Sequence, residues 1–256
     1  LNGDIVNIKG ASGAVVDGAG SVQLFRVATG GTLHLSDLLL TGGFTRNRGG
    51  AVYIEKGAVA SFTSCTFASN TATSGGGVSN DGTVDSMDEC TFTENTATRG
   101  GGVYNGRGTV ASMSSCTFTS NKADLGADQN GGGGVANEGI VTSMSDCIFN
   151  NNTADQGGGG GVANEGIVTS MSDCTFYNNT ASGGGGVFGY GGIVESMSSC
   201  TFTNNMADDG GGVLNGNTLT TMRNCTFNNN TAGYGGGVSN YGTVESMSDC
   251  TFTKNT

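Results

Sequence analysis

The chain has 256 residues, 49 of them glycine, with no proline and no tryptophan. Its formal net charge of −11 argues against nucleic-acid binding through a basic patch. Hydrophobic residues make up 35 %, few for a wide globular core but enough for a narrow one, and the longest apolar run, residues 38–40, is far too short to span a membrane.

Residues 1–48 are irregular. Stretches 5–8, 14–16, 22–27 and 32–40 have strand character and are punctuated by glycine. Residues 31–43 look like a larger-cored version of the later repeats, so 1–48 is expected to form the first two coils of one array. From residue 49 a unit of about 25 residues recurs. One copy starts at Cys90, with Thr91, Phe92, Thr93, Glu94 and Asn95, then passes through a Gly100–Gly102 triplet to Val103 and Asn105, and on to Val110 and Met113. The cysteines stand at 65, 90, 116, 147, 174, 200, 225 and 250, in steps of 25, 26, 31, 27, 26, 25 and 25. So regular a period implies a stack in which each repeat buries its apolar face against its neighbours.

The unit has no helical stripe. Its apolar residues lie in short alternating runs between turns, with Cys90 and Phe92 on one side and Thr91 and Thr93 on the other. Three short strands per unit give an all-β parallel β-helix of about ten coils, spaced about 4.8 Å apart. Like residues then stack. Phe67 to Phe252 form one ladder, Val52 to Val238 a second, and Phe62 with Met87 to Met247 a third. An asparagine follows each phenylalanine by three, from Asn70 to Asn255, and stacked amides can bond along the stack. The whole chain, 1–256, reads as one domain and as a segment of a longer chain. The longest step carries an inserted loop near 123–131, and residues 131–147 repeat letter for letter as 158–174. Insertions in solenoids often carry the contacts.

In-register stacking brings neighbouring cysteine Cα atoms to about 4.8 Å, within the range of about 4.4–6.8 Å found in disulfides. Cys65–Cys90, Cys116–Cys147, Cys174–Cys200 and Cys225–Cys250 are candidate pairs; a column of buried thiols is the alternative. The outward pairs Thr91/Thr93, Thr117/Thr119, Thr201/Thr203 and Thr251/Thr253 resemble the ice-binding face of some β-helical antifreeze proteins. Threonine is also simply a good strand former on a wet face. Glu138 and Glu165 share a slot one coil apart, as do Asp146 and Asp173, and Asp124 and Asp155. Stacked acids repel unless screened, so Ca²⁺ is a candidate ligand and solvated turn residues are the simpler reading. No other cofactor is expected. Zinc lacks support, with no CxxC and His34 the only histidine. Sequons at Asn151, Asn178, Asn224 and Asn229 are candidate N-glycosylation sites, three of them in one repeat slot. The ten lysines and arginines read as scattered: Arg99 and Arg107 are close, while Lys122, Arg223 and Lys254 stand apart.

The pairing of Phe92-Thr-Glu-Asn95 with Gly100-Gly-Gly-Val103, and Gly49-Gly-Ala-Val52 in the first regular coil, is similar to the repeats of the polymorphic outer-membrane protein family. The likeness covers residues 31–256. It implies a right-handed β-helix of the pectate-lyase type, exposed at a cell surface, acting in adhesion or as a structural wall. The cysteine and methionine in each coil depart from that pattern, and no outer-membrane barrel is present in this sequence. The expected function is therefore that of an extracellular, non-enzymatic, stiff rod. It would build a surface layer, fibre or flagellar-hair type filament, or support adhesion. Its partners would be copies of itself, other extracellular structural proteins or glycans. An ice-binding protein and a polysaccharide lyase or hydrolase are the two alternatives; the lyase would need a groove with clustered arginine, lysine and aspartate.

Overall fold

A computed structural model describes residues 3–124, 131–155 and 157–256. The inserted loop near 123–131 lies outside them apart from its ends. All regular structure is β. The chain winds as a parallel solenoid of about nine turns. Its strands fall into four sheets. Sheet I holds ten strands, from Ile5–Lys9 to Thr243–Ser248. Sheet II also holds ten, from Val15–Asp17 to Thr251–Thr253. Sheet III holds seven, from Thr71–Ser74 to Thr231–Tyr234. Sheet IV holds nine, from Phe25–Val27 to Val238–Asn240. One coil visits them in the order I, II, III, IV: Thr83–Asp88, Thr91–Thr93, Thr96–Arg99, Val103–Asn105.

Four strands per coil, rather than three, is the main departure from the sequence reading. Sheets II and III are separated by only two residues, Glu94 and Asn95 in this coil. Glu94 takes a left-handed conformation (φ 54°), which bends the chain and starts a new strand. The hydrophobic residues that sheet III buries are all alanines, Ala72, Ala97, Ala123, Ala154, Ala181 and Ala207. A single methyl per coil leaves almost no hydrophobic signature.

The same bend recurs in every regular coil. The residue before each cysteine and the residue before each ladder asparagine have positive φ, from Ser64 and Ser69 to Asp249 and Lys254. A non-glycine residue there costs about 1–2 kcal/mol, which explains why so many are Asn or Asp. Asn95 offsets that cost. Its backbone N–H donates to Asn121 Oδ1 at 3.1 Å, and its side chain donates to Asn121 Oδ1 at 3.0 Å and to the Phe67 carbonyl at 2.9 Å. The pattern runs from Asn70 to Asn255. A second buried amide ladder lies at the end of sheet IV, through Asn80, Asn105, Asn137 and Asn164. It breaks where Gly189 stands in the slot and resumes at Asn215 and Asn240.

The core is made of columns. Phenylalanine rings from Phe67 to Phe252 stack with centroids 4.7–4.8 Å apart, the spacing of strands within a sheet. Opposite them, the third glycine of each corner supplies the room. A Cβ on Gly102 would lie 2.7 Å from the Gly134 carbonyl oxygen and 3.0 Å from Phe118 Cδ1. The valine and methionine ladders hold as read, and Phe62 occupies the methionine slot beside Met87. In the second coil Leu33, Leu35, Leu38 and Leu40 fill the same interior. From Thr83–Asp88 onward each sheet I strand carries one residue more than Val59–Thr63, and the register shifts between Val84 and Ser86. That bulge lets Val84 and Met87 both face inward although they are three residues apart.

Candidate functional site

The eight cysteines form one column at the corner between sheets I and II. Cys65 to Cys225 are buried and Cys250 is partly exposed. In this structure all eight are free thiols. Each from Cys116 onward points its S–H at a methionine carbonyl of the preceding coil, Cys116 at Met87 at 3.4 Å and Cys147 at Met113 at 3.6 Å. Burial pushes the Cys65 and Cys250 thiols above their ordinary range. The column behaves as small hydrophobic packing with a weak donor.

The threonine pairs stand on the outer face of sheet II, in two columns. The first runs Thr66, Thr91, Thr117, Ile148, Thr175, Thr201, Thr226, Thr251. The second holds Thr93, Thr119, Thr203 and Thr253 but also Ala68, Asn150, Tyr177 and Asn228. A flat two-threonine surface therefore extends unbroken over only Thr91, Thr93, Thr117 and Thr119 before Ile148 and Asn150 interrupt it.

Asn151, Asn178 and Asn229 occupy the left-handed position before the ladder asparagine, and Asn224 the one before Cys225. All four are exposed. Their middle sequon residues at 152, 179 and 230 are buried ladder asparagines.

The acidic pairs are separated in kind. Glu138 is held by Arg99 at 3.0 Å and by the Tyr104 hydroxyl at 2.8 Å. Glu165 has no such partner. Its Oε1 is buried without a hydrogen bond, and burial, then the Glu138 charge, raise its pKa. Asp124 and Asp155 both face Lys122, at 3.8 and 2.8 Å. Asp146 and Asp173 sit at exposed left-handed turns. Among the described residues no group of three or more His, Cys, Asp or Glu is placed to hold a metal ion.

Four of the ten basic residues are gathered in one place, and sequence reasoning missed this. Arg26, Arg46, Arg48 and Arg99, four of the chain's six arginines, line one cleft of about 430 Å³ with Gln23, Thr45, Asn47, Tyr53, Thr73 and Ser74. Arg107 is not among them. The stack brings them together. Arg48, Ser74 and Arg99 are successive rungs along sheet III, and Arg26 and Tyr53 are adjacent rungs of sheet IV. Arg46 lies on the loop that leads to Arg48, where the Thr73 hydroxyl donates to its carbonyl at 2.7 Å. Three guanidinium groups are pinned from behind. Arg26 pairs with Glu55, Arg48 with Asp81, and Arg99 with Glu138. The Arg99 guanidinium also lies over the Tyr104 ring, 4.8 Å from its centroid. The Tyr53 hydroxyl donates to Asp81 at 2.9 Å, and burial with that bond raises its pKa. The only signal in sequence is the coil period, which aligns 48 with 74 and 99.

Residues 89–106, 146–165 and 173–190 match the Chlamydia polymorphic membrane protein repeat. All three matches begin at the left-handed residue before a cysteine, Glu89, Asp146 and Asp173, and the first runs through the strands of sheets II, III and IV to the turn after sheet IV. These three stretches resemble polymorphic membrane protein repeats. In this chain the recurring letters of that repeat are the stack itself: phenylalanine column, amide ladder, glycine corner and valine column. Polymorphic membrane proteins are an outer-membrane or surface-associated family. No curated protein and no solved structure matches the chain. Among the described residues no helix is long and apolar enough to cross a membrane.

Proposed function

We propose that this chain is a stiff stalk of a surface-exposed protein, with a mechanical role in a surface layer, a filament or an adhesive structure. The observation that supports it most is the continuous parallel pairing through ten strands in each of sheets I and II, locked by a buried amide ladder. Each rung ties one coil to the next through backbone and side chain together, so bending the rod would break hydrogen bonds inside the core. Catalysis has little to work with. The cleft lining contains no carboxylate, lysine or histidine that could take a proton, and Tyr53 is a poor base with its pKa raised. Ice binding is disfavoured by the broken second threonine column. Glycans on Asn151, Asn178 and Asn229 would decorate one edge of the rod and leave the core untouched.

Antibody labelling of intact cells of the source tests the location. Labelling without permeabilisation is expected; labelling only after permeabilisation would sink the surface reading. Negative-stain electron microscopy of the isolated protein tests the mechanics. Straight rods of even width are expected, whereas compact or strongly curved particles would refute a stiff stalk.

A further inference from the structure

We propose that the arginine cleft at the N-terminal end of the rod is a binding site for an acidic oligosaccharide, a short chain of carboxylate- or sulfate-bearing sugars. The chain as a whole is strongly acidic, yet this cleft is lined by four arginines and by no carboxylate. The carboxylates of Glu55, Asp81 and Glu138 instead stand against three of the guanidinium groups and fix their directions. Ordered guanidinium groups lose little freedom on meeting an anion and can offer it paired N–H donors. Arg46 is exposed and has no ion-pair partner among the described residues, so one positive charge is left over for a ligand.

The rest of the lining selects a sugar rather than a bare anion. Thr45, Asn47 and Thr73 offer hydroxyl and amide groups to ring hydroxyls, and half-buried Tyr53 offers an aromatic surface to a sugar ring. Arg48 and Arg99 are two coils apart, on either side of Ser74. That is about 9.6 Å at strand spacing, wide enough for charges on nearby residues of a glycan chain. A volume of about 430 Å³ holds a few sugar units. A nucleic acid would have to approach a body of net charge −11.

Isothermal titration calorimetry on the full chain tests the site with four probes: a galacturonic acid tetrasaccharide, a sulfated heparin-derived tetrasaccharide, maltotetraose and hexaglutamate. At least one acidic saccharide is expected to bind, more weakly as salt is raised, and maltotetraose is expected not to bind. Which of the two binds more tightly assigns carboxylate or sulfate. Arg46→Ala is expected to weaken binding about tenfold, the loss of one charge-assisted contact. It removes no ion pair of the fold. Arg107→Ala, an exposed arginine outside the cleft, is expected to change nothing. Absence of binding by both acidic saccharides overturns the proposal, as does an unchanged affinity in Arg46→Ala. Equal or tighter binding of hexaglutamate would show a general anion site and overturn the sugar assignment.

Discussion

A single buried side chain in this molecule serves several backbone groups at once. Asn121 accepts from the Asn95 backbone at 3.1 Å and side chain at 3.0 Å, and donates to the Phe92 carbonyl at 2.9 Å. Asn121→Ala strands those groups away from water, with an expected loss of about 3 kcal/mol or more. Urea denaturation followed by circular dichroism measures it, and a loss under about 1 kcal/mol, no more than an ordinary hydrogen bond, would show that the ladder does not lock the stack. The thiols make a second residue-scale prediction. Native protein should react with a thiol reagent at Cys250 only, and at all eight after denaturation without reductant. Fewer than eight would mean bridges have formed. Glu165 gives a pH effect. Its folded pKa is raised by burial and by Glu138, so the folded state binds a proton more tightly than the unfolded one. Stability then falls as pH rises from the ordinary carboxylate value through the folded pKa. Glu165→Gln should raise the melting temperature at pH 7, and the gain should vanish at pH low enough to protonate both states.

At the scale of the element, the corner glycines matter more for close approach than for flexibility. Gly102→Ala places a methyl against the Gly134 carbonyl and the Phe118 ring. The expected cost is about 1–3 kcal/mol, read as a lowered denaturation midpoint. A whole coil is, by contrast, dispensable. Deleting residues 175–200 joins Cys174 to Thr201 and leaves every ladder in register. In a one-dimensional stack the variant should fold with unchanged circular dichroism shape and lose only one nearest-neighbour contribution to stability. Loss of cooperative folding would show that the array is not the sum of its coils.

For the whole molecule, shape and charge act together. The exposed turns carry much of the acidic charge, which keeps rods apart at neutral pH. As pH falls toward the sequence pI of about 4.2, that repulsion fades, and the outer columns of threonine, serine and tyrosine can meet. Light scattering should rise steeply near that pH and reverse on neutralisation. Scattering that never rises would argue against lateral contact through these faces.

The columns of phenylalanine, valine, methionine, cysteine and asparagine were legible in the letters alone, because stacking at strand spacing forces like residues into one slot. The parallel solenoid follows from that periodicity. The fourth strand was not legible, because Thr96 and Ala97 bury one methyl and the bend at Glu94 depends on a left-handed conformation that no local pattern announces. The direction of the thiols was not legible either: from Cys116 onward each S–H turns toward a methionine carbonyl of the preceding coil. The arginine cleft was hidden for a different reason. Arg26, Arg46, Arg48 and Arg99 are spread over four coils' worth of sequence, and only the winding of the chain, with carboxylates from other coils behind them, turns separate charges into one lined cavity. Local period determines which residues stack; three-dimensional closure decides which columns face each other across a groove.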